Sequence, residues 1–304
     1  MAPSGSDHAL PFSKTRSDFV SSGVRCSGDL YIPEGVENPP AVILAHGLGA
    51  DRAFGLSNYA EYFVKTGIAS YVFDYRGFGD SDGEVRHLVS PKRHLEDWRA
   101  AIAHVRSLPR INPTRIGLWG SSFSGGHVIA TAARIRDITA IAAQVPFVDP
   151  FSTLKMLGLR FLLRATPHAL RDLARMITFR KPYYIKTVGD ETEFAVLATH
   201  ETRQYLDLIP EGYEWANECA ARILLTFTLY RPLSVSAKVA CPALIIYGTR
   251  DSLISPDSVM DAAHRMHRSE VVEYNAGHFE VYFGELFSEI VAKQASFFKT
   301  HLFA

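Results

Sequence analysis

Three residues of the types that cooperate in nucleophilic catalysis follow separate apolar segments of the chain: Ser122, Asp251 and His278. A serine hydroxyl is a weak nucleophile until a base removes its proton, and a histidine oriented by a carboxylate commonly supplies that base. Ser122 lies in the segment Trp119–Gly126 (WGSSFSGG), between a short apolar run and a stretch with helical spacing. This pattern predicts a serine on a tight turn between strand and helix, with its hydroxyl exposed above the sheet.

The choice among three neighbouring serines follows from the residues that such a turn needs. Small residues belong two positions before and two positions after the nucleophile, and Ser122 has Gly120 and Ser124 there. Ser121 would have a tryptophan in the first place. Ser124 has Ser122 and Gly126 but lies farther from the end of the strand, so Ser122 fits best. The alternative is a glycine- and serine-rich helix start with no chemistry.

The candidate base and acid lie just after two later apolar segments. His278 belongs to the turn Asn275–Phe279, and Asp251 follows the apolar run that leads into Gly-Thr-Arg. We expect His278 to accept the proton of the serine and Asp251 to orient the imidazole. Asp149 and Asp257 are alternatives for the acid, although Asp257 is placed where a helix cap is expected.

Acyl chemistry also needs hydrogen-bond donors for the oxyanion that forms in the transition state. The glycine-rich loop His46–Gly49 follows another apolar run and can approach the serine closely. We expect the backbone N–H groups of Leu48 and Phe123 to form the oxyanion hole, and His46 and Gly47 to contact substrate.

The pattern of apolar residues predicts the strands and helices that position these candidate catalytic residues. Short runs rich in β-branched residues alternate with segments of helical spacing, which predicts an open, mostly parallel α/β sheet flanked by helices. Residues 17–31 are expected to form two antiparallel edge strands joined at Gly23. The predicted parallel strands are Ala41–Ala45, Ala69–Tyr75, Ile116–Trp119, Ile138–Val145, Ala243–Tyr247 and Val271–Tyr274.

The alternation of strands and helices is interrupted in one region, and this interruption indicates how the chain is divided into domains. We expect residues 1–15 to be disordered or loosely ordered, residues 16–149 and 237–304 to form the α/β core, and residues 150–236 to form a helical lid. An insertion that leaves from the carboxyl end of a strand would cover the site. The predicted lid helices are Leu154–Leu163, Ala169–Phe179, Glu193–Leu208 and Tyr213–Thr226.

Taken together, these motifs resemble the α/β-hydrolase superfamily from about residue 20 to residue 300. The resemblance rests on His46-Gly47, on Asp74–Ser81 (DYRGFGDS), on the turn at Ser122, on Gly248–Asp251 and on Gly277-His278. It implies a triad in the chain order Ser122, Asp251, His278. More narrowly, the segment from Gly120 to His127 is similar to a bacterial and fungal group containing hydrolases and polyketide transferases of secondary-metabolite clusters.

The expected reaction is acyl transfer from an ester or thioester through an acyl-Ser122 intermediate. Water as acceptor would give an esterase or thioesterase, and an alcohol or amine would give an acyltransferase. The apolar lid predicts an apolar acyl group, polyketide-type being one option, with Tyr183, Tyr213 and Trp215 as polar contacts. The acyl donor is expected to be a small molecule, with carrier-bound and CoA-linked forms as options. A non-catalytic ligand-binding protein of the same fold is the alternative function.

Composition excludes several other classes of protein. The chain has 32 basic and 32 acidic residues, so it lacks the net positive charge that is typical of a nucleic-acid binder. A local basic patch is still compatible with this composition. Cys26, Cys219 and Cys241 are widely separated, so we expect free thiols, a cytoplasmic location and no metal site. No cofactor, secretory signal or membrane span is expected. The glycines at 77, 79 and 83 lack the spacing of a dinucleotide-binding loop.

Overall fold

The computed structural model describes residues 9–304, and an eight-stranded sheet forms its centre. Five of its strands are buried at every position, as expected for strands that are covered on both faces: Ala41–Ala45, Ala69–Phe73, Ile116–Ser121, Ala140–Gln144 and Ala243–Gly248. The strands are β1 (Phe12–Arg16), β2 (Phe19–Ser21), β3 (Val24–Cys26), β4 (Gly28–Pro33), β5 (Ala41–Ala45), β6 (Ala69–Phe73), β7 (Ile116–Ser121), β8 (Ala140–Gln144), β9 (Tyr184–Val188), β10 (Ala195–Leu197), β11 (Cys219–Ala220), β12 (Ala243–Gly248) and β13 (Ser269–Tyr274).

Eight α-helices connect or cover these strands in the described part of the chain. Three short 3₁₀ segments, at 227–229, 232–238 and 280–282, complete the regular structure there. The helices are α1 (Leu56–Lys65), α2 (Pro91–Ser107), α3 (Phe123–Ala132), α4 (Pro150–Ile177), α5 (Thr202–Leu206), α6 (Ile223–Thr226), α7 (Pro256–His264) and α8 (Gly284–Leu302).

The central sheet has the strand order β1-β4-β6-β5-β7-β8-β12-β13. The strands from β6 to β13 in this order run parallel, whereas β4 is antiparallel to both β6 and β1. The predicted α/β fold with a mostly parallel sheet is therefore confirmed. Because the strands are parallel, the loops after β5, β7, β12 and β13 leave from the same edge of the sheet.

Helices cover the sheet on both faces, and alternate residues of each strand enter two separate cores. Ile43 of β5 packs in the core that contains α2, α3 and α7, whereas Val42 and Leu44 pack against α1 and α8. Trp98 of α2 and Phe298 of α8 are among the largest fully buried side chains of the two cores. This burial on both faces fixes the register of the strands and holds their carboxyl ends in place.

The N-terminal segment differs from the prediction where the structure describes it. Residues 12–15, expected to be loosely ordered, belong to β1, which pairs with β4 from Phe12 opposite Pro33 to Arg16 opposite Asp29. The free edge of β4 offers backbone partners, and the ring of Phe12 packs on that of Tyr31, with 6.0 Å between their centroids. Residues 1–8, which the same expectation included, lie outside the described residues. The antiparallel pair expected around Gly23 is present as β2 and β3, but it forms a separate two-stranded sheet. The predicted second strand is divided into β3 and β4, and only β4 joins the central sheet.

The segment from residue 150 to residue 236 is less helical than predicted. The first two predicted helices form one long element, α4, with a non-helical Gly158 and with Pro167 in its interior. The predictions of helices at Glu193–Leu208 and Tyr213–Thr226 were wrong over most of their length. Only the short α5 and α6 are helical there, and β9 pairs with β10 and β11 in a three-stranded sheet. The β-branched residues of β9 and its alternating burial explain this preference for extended backbone.

Candidate active site

Ser122 occupies the turn between β7 and α3, and its backbone conformation is strained. Its φ is 56° and its ψ is −121°, which non-glycine residues rarely adopt. Its N–H donates to the carbonyl of Gln144 at the end of β8, at 2.9 Å. This strained turn, anchored to the neighbouring strand, is the geometry that the sequence predicted for Ser122.

Two glycines make the turn sterically possible. A Cβ at Gly120 would lie 2.4 Å from the carbonyl oxygen of Ser124, and a Cβ at Gly126 would lie 2.1 Å from that of Phe147. Position 124 tolerates a hydroxyl because the buried Ser124 Oγ shares a hydrogen bond of 2.9 Å with the hydroxyl of Tyr75. The departure from a glycine at this position is therefore accommodated by a specific contact.

Ser122 is the serine that reaches the candidate base. His278 Nε2 lies 3.0 Å from Ser122 Oγ, and His278 Nδ1 lies 2.7 Å from Asp251 Oδ2. A proton on Nδ1 would donate to the carboxylate and leave Nε2 free to accept the proton of the serine. The neighbouring Ser121 instead bonds the hydroxyl of Tyr282 and the carbonyl of Gln144.

The loops after β12 and β13 fix the acid and the base. The other carboxylate oxygen of Asp251 accepts the backbone N–H groups of Leu253 and Ile254, at 2.8 Å each. Neither alternative acid is positioned to orient His278. Asp149 binds Arg231 and caps α4, and Asp257 lies in the first turn of α7. The structure brings Asp251, and neither alternative, into contact with His278.

Glu201 is a buried carboxylate at this site that the sequence reasoning missed. One of its oxygens accepts the backbone N–H of His278, and the other accepts that of Ser252 at 3.0 Å. Close packing accompanies these bonds, since a Cβ at Gly277 would lie 2.7 Å from the Glu201 carboxylate. Through Glu201, the segment 150–236 thus anchors both the loop that carries the acid and the loop that carries the base.

The predicted oxyanion loop lies directly beside the serine. A Cβ at Gly47 would be 3.3 Å from Ser122 Cβ, so glycine is needed for this approach. Within residues 9–304 the backbone N–H groups of Leu48 and Phe123 donate to no protein acceptor, and both residues line the cavity at Ser122. Two such donors are available for a negatively charged oxygen.

His46, which the sequence predicted to contact substrate, also supports this loop. It is almost fully buried, and its ring lies between the carbonyl of Gly47 and the N–H of Tyr75. Burial lowers the pKa of His46 to about 4, so the imidazole is neutral at pH 7. Its ring and Gly47 border a second, smaller cavity beside the serine rather than the main one.

The main cavity is open to solvent at its mouth, and with that solvent included it encloses about 650 Å³. Its lining is almost entirely apolar. Ser122 and His278 lie at its wall, and α4 contributes Leu157 and Phe161 to it. The second cavity, of about 460 Å³, shares Ser122, Leu48 and Leu197 with the first. The remaining residues of the main lining are Leu48, Phe123, Phe147, Thr153, Val196, Leu197, Ile223, Leu224, Phe227, Leu253 and Ile254.

The aromatic residues predicted to contact substrate face other partners. Tyr213 donates to Asp51 at 2.8 Å, and Trp215 Nε1 donates to the carbonyl of Gly49 at 3.0 Å. Tyr183 stacks on His168 of α4. None of the three lines either cavity at Ser122. Tyr205, which the sequence did not single out, donates to the carbonyl of Leu48 at 3.0 Å.

A cluster of buried imidazoles lies beneath the turn at Ser122. His94 Nδ1 is 3.2 Å from His127 Nε2, and His127 Nδ1 is 2.7 Å from the hydroxyl of Tyr230. Burial lowers the pKa of His127 to about 3 and that of His94 well below its usual value. These histidines are neutral packing groups in the folded chain.

The described residues were also compared with the requirements of a metal site and of a membrane-spanning helix. Among residues 9–304 no group of three or more histidine, cysteine or acidic side chains could hold a metal ion. The three cysteines are free and buried, and burial raises the pKa of Cys26 to about 12. None of the helices in this range combines the length and the apolarity needed to cross a membrane.

Comparison with known proteins identifies the family. The chain is 38% identical to the quorum-quenching protein AidA of Acinetobacter baumannii over 282 residues, which are 92% of this chain and 93% of AidA. It is 24% identical to the polyketide transferase ATR5 of Stachybotrys chlorohalonatus, over 95% of this chain and 98% of ATR5. The solved structure of DcsB in complex with its substrate analogue matches with a TM-score of 0.83 at 22% identity, covering 96% of this chain and all of that one (100%).

The family model described as serine aminopeptidase, S33, matches residues 37–282. This range runs from the residues before β5 to those after β13 and includes Ser122, Asp251 and His278. The transferase among the relatives also agrees with the narrower resemblance seen in the sequence. The chain therefore belongs to the S33 serine aminopeptidase family of α/β-hydrolases.

Proposed function

We propose that this chain is a serine-dependent acyl-transfer enzyme that acts on esters or thioesters with an apolar acyl group. The observation that carries the proposal is the hydrogen-bonded series from Ser122 Oγ through His278 to Asp251 at the wall of an apolar cavity. Nucleophile, base and orienting acid lie within hydrogen-bond reach of one another, as this chemistry requires.

In the proposed reaction, Ser122 Oγ attacks the carbonyl carbon while its proton passes to His278 Nε2. The N–H groups of Leu48 and Phe123 stabilise the oxyanion of the tetrahedral intermediate. When this intermediate collapses, the bond to the leaving oxygen or sulfur breaks and His278 returns the proton to that atom. A second nucleophile then attacks acyl-Ser122 in the same manner and releases the acyl group.

Residues 150–236 act as a lid in this proposal. Its residues form much of the wall of the main cavity, and its contacts fix the catalytic loops through Glu201, Tyr205 and Trp215. Glu201 is a positioning residue for His278, because it binds the backbone of that loop and does not line either cavity. The lid therefore has a fixed part over the triad and a part that encloses the acyl group.

The acceptor of the acyl group is either water or a second substrate such as an alcohol or amine. The second cavity meets the main one at Ser122 and gives room for a leaving group or for an acceptor other than water. The printed function of the relative ATR5, polyketide transferase, supports including an alcohol or amine acceptor beside hydrolysis. Incubation with an activated acyl donor, with and without candidate alcohols, distinguishes the two by the ratio of ester to free acid.

The acyl preference is tested with p-nitrophenyl esters from acetate to dodecanoate. Each methylene that enters the apolar cavity contributes about 0.8 kcal/mol, so kcat/KM should rise by up to about fourfold per methylene until the cavity is filled. Leu157→Trp narrows the cavity and should shift the optimum to shorter chains. Leu159→Trp, on the exposed side of the same helix, is the matched control. A preference for acetate would refute the apolar acyl group while leaving the acyl-enzyme intact.

A further inference from the structure

The outer face of α4 carries a stripe of exposed apolar side chains. Leu159, Leu163, Leu170 and Ile177 are 70%, 68%, 53% and 66% exposed, and their spacings of 4, 7 and 7 residues place them on one side of the helix. Phe179, just after the helix, is 99% exposed. Single exposed apolar residues are ordinary, but several large ones on one side of a helix are typical of a surface that contacts a partner.

The inner face of the same helix is already occupied. Ala165, Ala169 and Asp172 are buried against the rest of the lid, and Leu157 and Phe161 line the main cavity. The apolar stripe lies on the opposite side of the helix from these residues and contributes to no core within residues 9–304. Its apolarity is therefore not explained by packing of the lid on the core.

Positively charged side chains accompany the stripe and favour a negatively charged partner. Six exposed cations accompany it, and none of them forms an ion pair with a carboxylate in the described part of the chain. The acidic residue of α4, Asp172, is buried with Arg222 as its partner. The chain as a whole has equal numbers of acidic and basic residues, so this is a local excess. The cations are Lys155, Arg160, Arg164, Arg171, Arg180 and Lys181, and of these Arg164 lies over the ring of Phe194 and Arg171 over that of Tyr183.

We propose that this face, defined as the apolar stripe and the six cations, docks on an anionic lipid surface. A basic amphipathic helix with leucine and phenylalanine on its apolar side is the type that lies in a membrane interface. A second copy of the chain fits less well, because a two-fold contact would bring the same cations of both copies together. Docking would place the cavity, on the other side of α4, next to a source of apolar acyl groups.

The experiment measures binding of the full chain to vesicles by sedimentation, without substrate, so the result does not depend on acyl transfer. Vesicles of phosphatidylcholine alone are compared with vesicles containing 30% phosphatidylglycerol. The apolar variant is Leu159→Gln/Leu163→Gln/Ile177→Gln, and the charge variant is Arg160→Glu/Arg180→Glu. The matched controls are Val20→Gln and Arg110→Glu, which alter an exposed apolar residue and an exposed cation elsewhere.

We expect binding to the anionic vesicles at least tenfold tighter than to the neutral ones, weakened at least tenfold in both variants and unchanged in both controls. High salt should reduce the binding, because each surface cation contributes electrostatically. Absence of vesicle binding, or equal binding to both vesicles, would overturn the proposal. So would a dimer seen by light scattering that dissociates in the apolar variant, or capture of polyglutamate in place of vesicles, which would assign the face to a second copy or to an acidic protein.

Discussion

At the scale of single residues, the least expected feature of the site is the carboxylate of Glu201. It accepts the backbone N–H of His278, the proposed base, and that of Ser252, which directly follows the proposed acid Asp251. A buried N–H group that loses its acceptor costs about 1–3 kcal/mol. In the proposed mechanism Glu201 therefore positions the imidazole through the backbone and takes no direct part in the chemical steps.

The substitution Glu201→Gln tests this role. An amide keeps one acceptor oxygen and puts an N–H group against the second backbone donor, so we expect kcat to fall about 10- to 100-fold. KM should stay within about twofold, because Glu201 does not line the cavities. Steady-state kinetics with the preferred p-nitrophenyl ester gives both constants, and Glu191→Gln, an exposed carboxylate of the same lid, is the control. A folded variant with unchanged kcat would contradict the positioning role.

Residue types in the sequence predicted the proposed triad because each member follows an apolar strand. The polar contacts of Tyr213 and Trp215 were not predictable in the same way, since a side-chain type does not reveal its direction. Trp215 donates to Gly49 of the predicted oxyanion loop and Tyr213 donates to Asp51, just after that loop, and neither lines the cavity. Glu201 gave no local signal at all, because its partners lie 51 and 77 residues away.

At the scale of elements, buried histidines join α2, α3 and the loop after β5 beneath the serine turn. The ring of His94 stacks on Tyr75 at a centroid distance of 4.0 Å and contacts His127 of α3. Burial lowers the pKa of His46 to about 4 and that of His127 to about 3. The elements can pack this closely only while these imidazoles are neutral.

This packing predicts that the folded chain loses stability as the pH falls below about 6.5. In the unfolded chain the histidines take up protons near their ordinary pKa of about 6.5, whereas in the folded chain they stay neutral down to lower pH. Unfolding therefore binds protons in this range, and the free energy of unfolding falls by up to about 1.4 kcal/mol per pH unit for each such histidine.

Urea denaturation between pH 7.5 and pH 5.5 measures this dependence. His127→Gln should unfold with a smaller change in free energy per pH unit than the unmodified chain. His264→Gln, at an exposed position on α7, should leave the slope unchanged. The comparison of the two slopes decides the matter, because burial also raises the pKa of Asp74 to about 6, and that group makes the folded chain more stable as the pH falls. His94→Gln gives a second comparison if His127→Gln does not fold. Slopes in these variants equal to that of the unmodified chain would mean that the buried imidazoles are not held neutral.

At the scale of the whole molecule, the sequence predicted the core far better than the lid. Strands such as Ala41–Ala45 are apolar on both faces, and a parallel sheet covered by helices is the arrangement that buries them. Beyond α4 the lid has a weaker pattern, because its other elements are short. The strand Tyr184–Val188 pairs with Ala195–Leu197 and with Cys219–Ala220, and such nonlocal pairing overrode the helical spacing read from the sequence.

The central claim is that Ser122 is the activated nucleophile, and covalent labelling tests it most directly. The full chain is treated with a fluorophosphonate, its intact mass is recorded and the modified peptide is mapped. We predict one adduct, on Ser122, that is absent in Ser122→Ala and forms at least 100-fold more slowly in His278→Ala. An adduct on Ser121 or Ser124, or unchanged labelling of Ser122→Ala, would contradict the account.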